Sequence, residues 1–207
     1  MGGHPEPAGI GPVLLHRASQ QNKNETLPRP LPGLAASPHF GSVPAKTRLA
    51  FPAAFAFIVL AHRPDEFRAS FADHDALMLR KGGLAKAEKE MIVVATSSAN
   101  ECLYCIIAHG AILRVYAKSP LIADQVAGNY LKADLTPRER AILDFAMKVA
   151  LEAHRVEQDD FAPLHAHGLS DEDVWDVGAI AAFFALSNRM ANLTAMRPND
   201  EFYAMGR

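Results

Sequence analysis

From residue 51 onward the apolar positions group into runs that suit helices, with turn residues between them. Phe51 to Ala61, F-P-A-A-F-A-F-I-V-L-A, predicts a buried helix that stops before His62-Arg63-Pro64. It is shorter than the roughly 20 residues a bilayer span needs. Pro64 opens a second helix, Asp65 to about Arg80, with Phe67, Phe71 and Leu77 to Leu79 turned to the core and Gly82-Gly83 ending it. Ala85 to Ser98 is rich in Ala, Glu, Lys and Met and contains neither Gly nor Pro, so it reads as helix. Cys102 to Tyr116 follows as another, with Gly110 tolerated inside. Ser119-Pro120 starts a short helix to about Leu131. In L-T-P-R-E-R, 135 to 140, Thr136 is a good N-cap, Pro137 suits the first turn and Glu139 completes a capping box, so a helix runs to about Ala153. Glu157 to His167 predicts one more, closed by Gly168. Ser170 then caps a long helix through the apolar run Val177 to Leu186, which reads as a buried centre or part of a subunit interface. Arg197-Pro198 begins an irregular tail.

The reactive chemistry is concentrated in one stretch, Leu84 to Arg114. It holds the only two cysteines of the chain, Cys102 and Cys105, spaced C-x-x-C, with His109 four residues later and Glu90 twelve residues before Cys102. As one continuous helix, Glu90 and His109 would stand nineteen residues, or about 28 Å, apart. Asn100 offers a break, because its side chain competes with the helical backbone and caps a following helix. A reversal there gives an antiparallel pair, and residues 90 and 109 lie almost equally far from it, so they meet at one level. Cys102, Cys105 and His109 share a helix face. Cys102 sits in the first turn, where free N–H groups favour a thiolate. Cys105 lies one turn from His109, within reach for proton transfer, while Glu90 orients the imidazole. A second thiol one turn away can resolve an oxidised first thiol as a disulfide.

The same residues admit other readings. Two Cys and one His could hold zinc, although structural zinc usually takes four protein ligands and no second C-x-x-C or H-x-x-x-H is present. Two cysteines can also be inert core residues. A thioredoxin-type site needs surrounding strands, and no βαβ pattern flanks the motif. Glu90 and His109 alone could serve an acid/base enzyme acting on a small carbon acid or lactone. The thiols alone could form a non-enzymatic redox-sensing module.

The pattern E-x11-C-x2-C-x3-H, with E-K-E-M-I before it and N-E-C-L-Y-C and A-H-G within it, resembles the signature of the alkylhydroperoxidase AhpD and carboxymuconolactone decarboxylase superfamily. The tail segments N-R-M-A-N, Asn188 to Asn192, and R-P-N-D-E-F-Y, Arg197 to Tyr203, are similar to the peroxidase-related branch. The resemblance covers roughly residues 50 to 205. It implies an all-α, AhpD-like bundle of about seven to eight helices and a homo-oligomer, trimer or hexamer. It also implies peroxide reduction, with Cys105 as peroxidatic cysteine, Cys102 as resolving cysteine, and His109 with Glu90 as proton relay. The partners it implies are a hydroperoxide substrate and a dithiol reductant, lipoyl-bearing or thioredoxin-like; no cofactor or metal is called for. AhpD carries a histidine between its cysteines, where this chain has Tyr104. The decarboxylase branch lacks the cysteine pair, which disfavours lactone decarboxylation.

Composition adds bounds. The chain has 207 residues, 49% of them hydrophobic, and a net charge of −2, which fits one globular domain and signals no polyanionic partner. No basic run supports nucleic-acid binding. Two cysteines at redox spacing fit a reducing cytoplasm better than a disulfide scaffold. Residues 1–45 are rich in Pro and Gly and read as a flexible arm before an all-α domain over 46–207. L-A-K-A-E-K-E-M-I (84 to 92) and L-T-P-R-E-R-A-I-L (135 to 143) hint at a weak internal duplication in which only the first copy carries the reactive residues.

Overall fold

The computed structural model of the chain describes residues 63–207. The arm, the helix expected over Phe51 to Ala61 and the side chain of Phe67 lie outside the described residues. Those described form eight α-helices and no strand. They are α1 (Pro64–Met78), α2 (Lys86–Ala99), α3 (Leu103–Ala117), α4 (Ile122–Asn129), α5 (Pro137–Glu152), α6 (Ala162–Ala166), α7 (Asp171–Leu193) and α8 (Asp200–Ala204). None of the described helices is long and apolar enough to cross a membrane.

Helix α2 is the axis of the fold, packing against α3, α4, α5 and α7. Every residue from Glu88 to Ser97 is buried. Ile92, Val93 and Val94 meet Ile142 and Leu143 of α5 and Val177, Ile180 and Phe184 of α7 in one cluster, each aliphatic side chain contributing about 1.5–3 kcal/mol on burial. A helix buried on all sides must satisfy its polar residues internally, and these do so. Glu88 pairs with Arg138 at 2.7 Å. Lys89 donates to the carbonyls of Leu77 at 2.7 Å and Arg80 at 2.9 Å, tying down the end of α1. Glu90 binds His109.

Most boundaries follow local capping. Thr136 and Glu139 form the expected capping box on α5, and Ser170 does the same for α7 through Asp173. Glu88 accepts from the Ala85 amide just as Glu139 accepts from that of Thr136, so the recurring segments share one capping device.

Three expectations are corrected. The first helix ends at Met78, two residues short of Arg80, and the glycine pair serves a different purpose. The Gly83 amide donates to Asp173 at 2.6 Å, and a Cβ there would come within 2.4 Å of the same carboxylate, so only glycine allows the approach. The segment 157–167 is a 3-10 turn, Gln158–Phe161, followed by the short α6. Pro163 cannot donate the amide hydrogen that a continuous helix would require, so the helix starts afresh with Pro163 in its first turn. The tail contains α8, held by a distant residue: buried Arg114 of α3 donates to the carbonyls of Phe202 at 2.7 Å and Met205 at 2.8 Å.

Candidate active site

The α2–α3 hairpin turns in three residues. Asn100 ends α2 as its C-cap rather than opening α3, and Glu101 takes the left-handed conformation with φ 52°. The Glu101 amide donates to the Ser98 carbonyl and the Cys102 amide to the Ser97 carbonyl, both at 3.0 Å. This is a Schellman reversal made without glycine, at a steric cost of about 1 kcal/mol. Cys102 is at once the last residue of the turn and the N-cap of α3. The turn sets the register of the two helices, and the consequence is the expected contact: His109 Nδ1 donates to Glu90 Oε2 at 2.8 Å. Both side chains are largely sheltered, His109 at 14% exposure and Glu90 at 3%. With Nδ1 committed to Glu90, Nε2 is the nitrogen left to exchange protons.

Both sulfurs are enclosed, Cys102 at 0% and Cys105 at 1% exposure, and both are free thiols. Ala191, Met196 and Tyr104 close over them. Cys102 Sγ occupies the place a Ser or Asp oxygen usually fills at an N-cap, accepting the Cys105 amide at 3.5 Å. The Cys105 S–H donates to it, the Cys105 and Tyr104 amides add to this, and the charge on His109 acts in the same direction; against burial, these hold Cys102 down to about 7. Cys105 is pushed far above the ordinary thiol range by donating its proton to Cys102 and by burial, while Asn188 and Ser187 pull the other way. The resting anion of the pair therefore resides on Cys102. Helical spacing offered each sulfur one advantage, the first-turn amides for Cys102 and the imidazole one turn away for Cys105, and the structure places the resting charge with the amides. Burial and the neighbouring sulfurs also raise the Tyr104 phenol, which keeps it neutral where AhpD carries a titratable histidine.

The structure joins Glu90 to His109 and pairs Cys102 with Cys105, and the charge of His109 acts on Cys102 and not on Cys105, the partner that spacing had assigned to it. Helix α7 supplies what the motif does not contain. Asn188, fully buried, donates to Ser97 Oγ at 2.9 Å and accepts from Asn100 Nδ2 at 3.0 Å, while its amide also reaches Cys105. Asn192 donates to the Asn100 carbonyl at 3.2 Å. Phe184 stands edge-on to the His109 ring at 4.8 Å, with Phe183 and His74 beside it. The signal for Asn188 was a polar residue just after the apolar run 177–186, on the side of α7 that buries Phe184 and Ala191. Its partners, some ninety residues earlier in the chain, could not be read from spacing.

The arrangement offers a thiol–thiolate pair, a carboxylate-held imidazole and an enclosed surround. Such a set supports two-electron oxidation of a thiolate followed by disulfide closure.

The chain is similar to known proteins in family and in fold. The carboxymuconolactone decarboxylase family matches residues 65–148. The crystal structure of an alkylhydroperoxidase AhpD core, an uncharacterized peroxidase-related protein from Ralstonia eutropha JMP134, is 57% identical with a TM-score of 0.74, and the alignment covers 87% of this chain and 95% of that one. A peroxidase-related protein from Silicibacter sp. TM1040 is 32% identical with a TM-score of 0.73, covering 88% of this chain and 100% of that one. The debrominase Bmp8 shares the fold at 20% identity and a TM-score of 0.63, covering 73% of this chain and 81% of that one. Among curated proteins, none matches the chain.

Proposed function

Because this chain belongs to the peroxidase-related branch of the AhpD and carboxymuconolactone decarboxylase superfamily, we propose that it is a thiol-dependent peroxidase that reduces alkyl or hydrogen peroxide with the Cys102–Cys105 pair. The observation that carries the reading is a thiol pair holding a thiolate near neutral pH beside the Glu90–His109 hydrogen bond.

The cycle begins with the shared proton. Transfer of the Cys105 proton to Cys102 across the S–H···S contact moves the anion to Cys105, where Asn188 and Ser187 side chains support it. The Cys105 thiolate attacks the terminal peroxide oxygen, the O–O bond breaks, and the sulfur becomes a sulfenic acid. His109, held by Glu90, supplies the proton that turns the leaving alkoxide into an alcohol, or hydroxide into water. Cys102 then loses its proton, attacks the sulfenic sulfur and expels water as the disulfide forms. A dithiol partner returns the pair to the reduced state by thiol–disulfide exchange. Both sulfurs are buried, so a small peroxide enters more readily than a bulky one, and reduction by a protein dithiol requires local opening.

The test is steady-state consumption of an organic hydroperoxide with dihydrolipoamide as reductant. Wild type is expected to turn over, and Cys105→Ser to lose turnover entirely. Cys102→Ser is expected to stop after one equivalent, with a sulfenic acid trapped by dimedone on Cys105. No turnover by the wild type with several peroxides and dithiols would sink the reading. A sulfenic acid found on Cys102 in Cys105→Ser would reverse the two roles.

A further inference from the structure

Both sulfurs of the pair are buried, so a reductant of the Cys102–Cys105 disulfide must first uncover it. Among the described residues, Ala191, Met196 and Tyr104 close over the sulfurs. Ala191 belongs to the last turns of α7, and that end is pinned. Asn188 bonds to Ser97 and Asn100, and Asn192 to the Asn100 carbonyl, so α7 and the hairpin hold each other. Met196 and Tyr104 are held differently. Met196 follows the turn that ends α7. Tyr104 also leans on a second cluster, formed by Phe202 of α8 with Ala108 and Ala111 of α3. Both covers therefore depend on the segment 196–207.

That segment is built to come away from α3. Helix α8 has five residues, too few to persist as an isolated helix. It rests on α3 through the buried Phe202 ring and through the Arg114 guanidinium, which binds the carbonyls of Phe202 and Met205. Gly206 lies so close to α3 that a Cβ there would come within 2.8 Å of Arg114 Cβ. Arg207 forks onto Asp124 of α4 at 2.7 and 2.9 Å, an exposed pair that holds weakly. The near end carries a hinge. Ala195 takes the left-handed conformation at φ 52°, which costs an alanine strain. The Met196 amide donates to the Ala191 carbonyl at 2.9 Å. Beyond it, the amides of Phe202, Met205 and Arg207 bond to Asn199, Glu201 and Ala204, within the segment itself. Opening at Ala195 relieves the strain and breaks the Met196 bond.

We propose that residues 196–207 are the gate through which a dithiol reductant reaches the Cys102–Cys105 disulfide, swinging off α3 about Ala195 with Phe202 as its latch. The gate rests on the peroxidase reading. When it opens, Met196 leaves the sulfurs and Tyr104 loses its support. A reductant thiolate attacks one sulfur, and the Cys102–Cys105 bond breaks as a mixed disulfide forms. The second reductant thiol attacks that mixed disulfide. Two electrons and two protons pass to the pair, which returns to two thiols, and the reductant leaves as its own disulfide.

The experiment follows reduction of the disulfide by a thioredoxin, by acid quench, alkylation and mass spectrometry. The disulfide is first made with diamide, which takes two electrons and two protons from the thiols without any peroxide. Wild type is compared with Phe202→Ala, Gly206→Ala and Leu164→Ala. The first removes the latch, and the second presses the segment off Arg114. Leu164 lies in the main core cluster, which contains neither sulfur nor Phe202, and serves as the control for general loosening. Reactions of a transiently opened state track its population, so each gate variant is expected to speed reduction about tenfold or more, and Leu164→Ala to stay within about twofold of wild type. Hydrogen exchange at the Met196 amide is expected to quicken by the same factor as reduction, because one opening exposes both. Wild-type rates in both gate variants would overturn the proposal, and Gly206→Ala alone decides if Phe202→Ala does not fold. Equal acceleration in Leu164→Ala, or faster reduction without faster Met196 exchange, would overturn it too. A wild type that consumes no peroxide yet shows these accelerations keeps the gate and loses the peroxidase reading; turnover with unaccelerated reduction does the reverse.

Discussion

Cys105→Ala, read through the ionisation of Cys102, tests the site most directly. Cys102 is held at about 7 against 9.0 for an ordinary thiol, and the S–H of Cys105 is the largest cause. The difference corresponds to about 3 kcal/mol in favour of the thiolate. At pH 7 it raises the thiolate fraction from about 1% to about half. The substitution removes the S–H donor but keeps the backbone amides at residues 104 and 105 and the charge on His109. A hydrogen bond to a charged group is worth about 1.5–3 kcal/mol, so the midpoint is expected to rise by about 1 to 2 pH units. Since ionisation of an acid increases with pH, the higher midpoint leaves less thiolate at pH 7, and alkylation there slows about 5- to 50-fold. The assay is iodoacetamide alkylation across pH 5 to 10, with each cysteine followed by peptide mass spectrometry. Opening of the buried site scales the absolute rates and leaves the midpoint unaffected. In wild type the low midpoint belongs to Cys102. An unchanged midpoint in Cys105→Ala would refute the argument. A Cys102→Ala variant whose remaining Cys105 titrates near 7 would show instead that His109 alone activates Cys105.

Two further outcomes follow from the same geometry. Glu90→Gln keeps the size of the side chain but removes the carboxylate facing His109 Nδ1; peroxide turnover is expected to fall about 10² fold or more, with the fold unchanged by circular dichroism, and retention of more than half the activity would contradict the relay. Lys89→Met removes the buried charged donor that holds the carbonyls of Leu77 and Arg80 where the chain leaves α1; a loss of about 3 kcal/mol is expected, seen as a fall of about 6–12 °C in thermal midpoint, and a neutral result would refute the anchoring role of Lys89.

The sequence by itself determined the helices and the chemistry carried on neighbouring turns. Capping boxes act over three residues, so Thr136 with Glu139 and Ser170 with Asp173 could be read directly. Cys105 and His109 stand one helical turn apart with Cys102 capping the same helix, and Glu90 meets His109 because a turn of only three residues folds α3 back along α2 with residues 90 and 109 at nearly equal distances from residue 100. Pro163 and α8 marked where local reading failed. The proline restarted a helix that apolar spacing had made continuous, and α8 depends on Arg114 nearly ninety residues away. The tertiary structure decided the rest. It set Asn188 and Phe184 of α7 against the thiols and the imidazole. It also assigned the resting charge to Cys102, because that choice depends on which sulfur receives the donors, not on which lies one turn from the histidine. Contacts between residues distant in the chain follow from how whole helices pack. Packing depends on all the buried faces together, and no single stretch of sequence contains it.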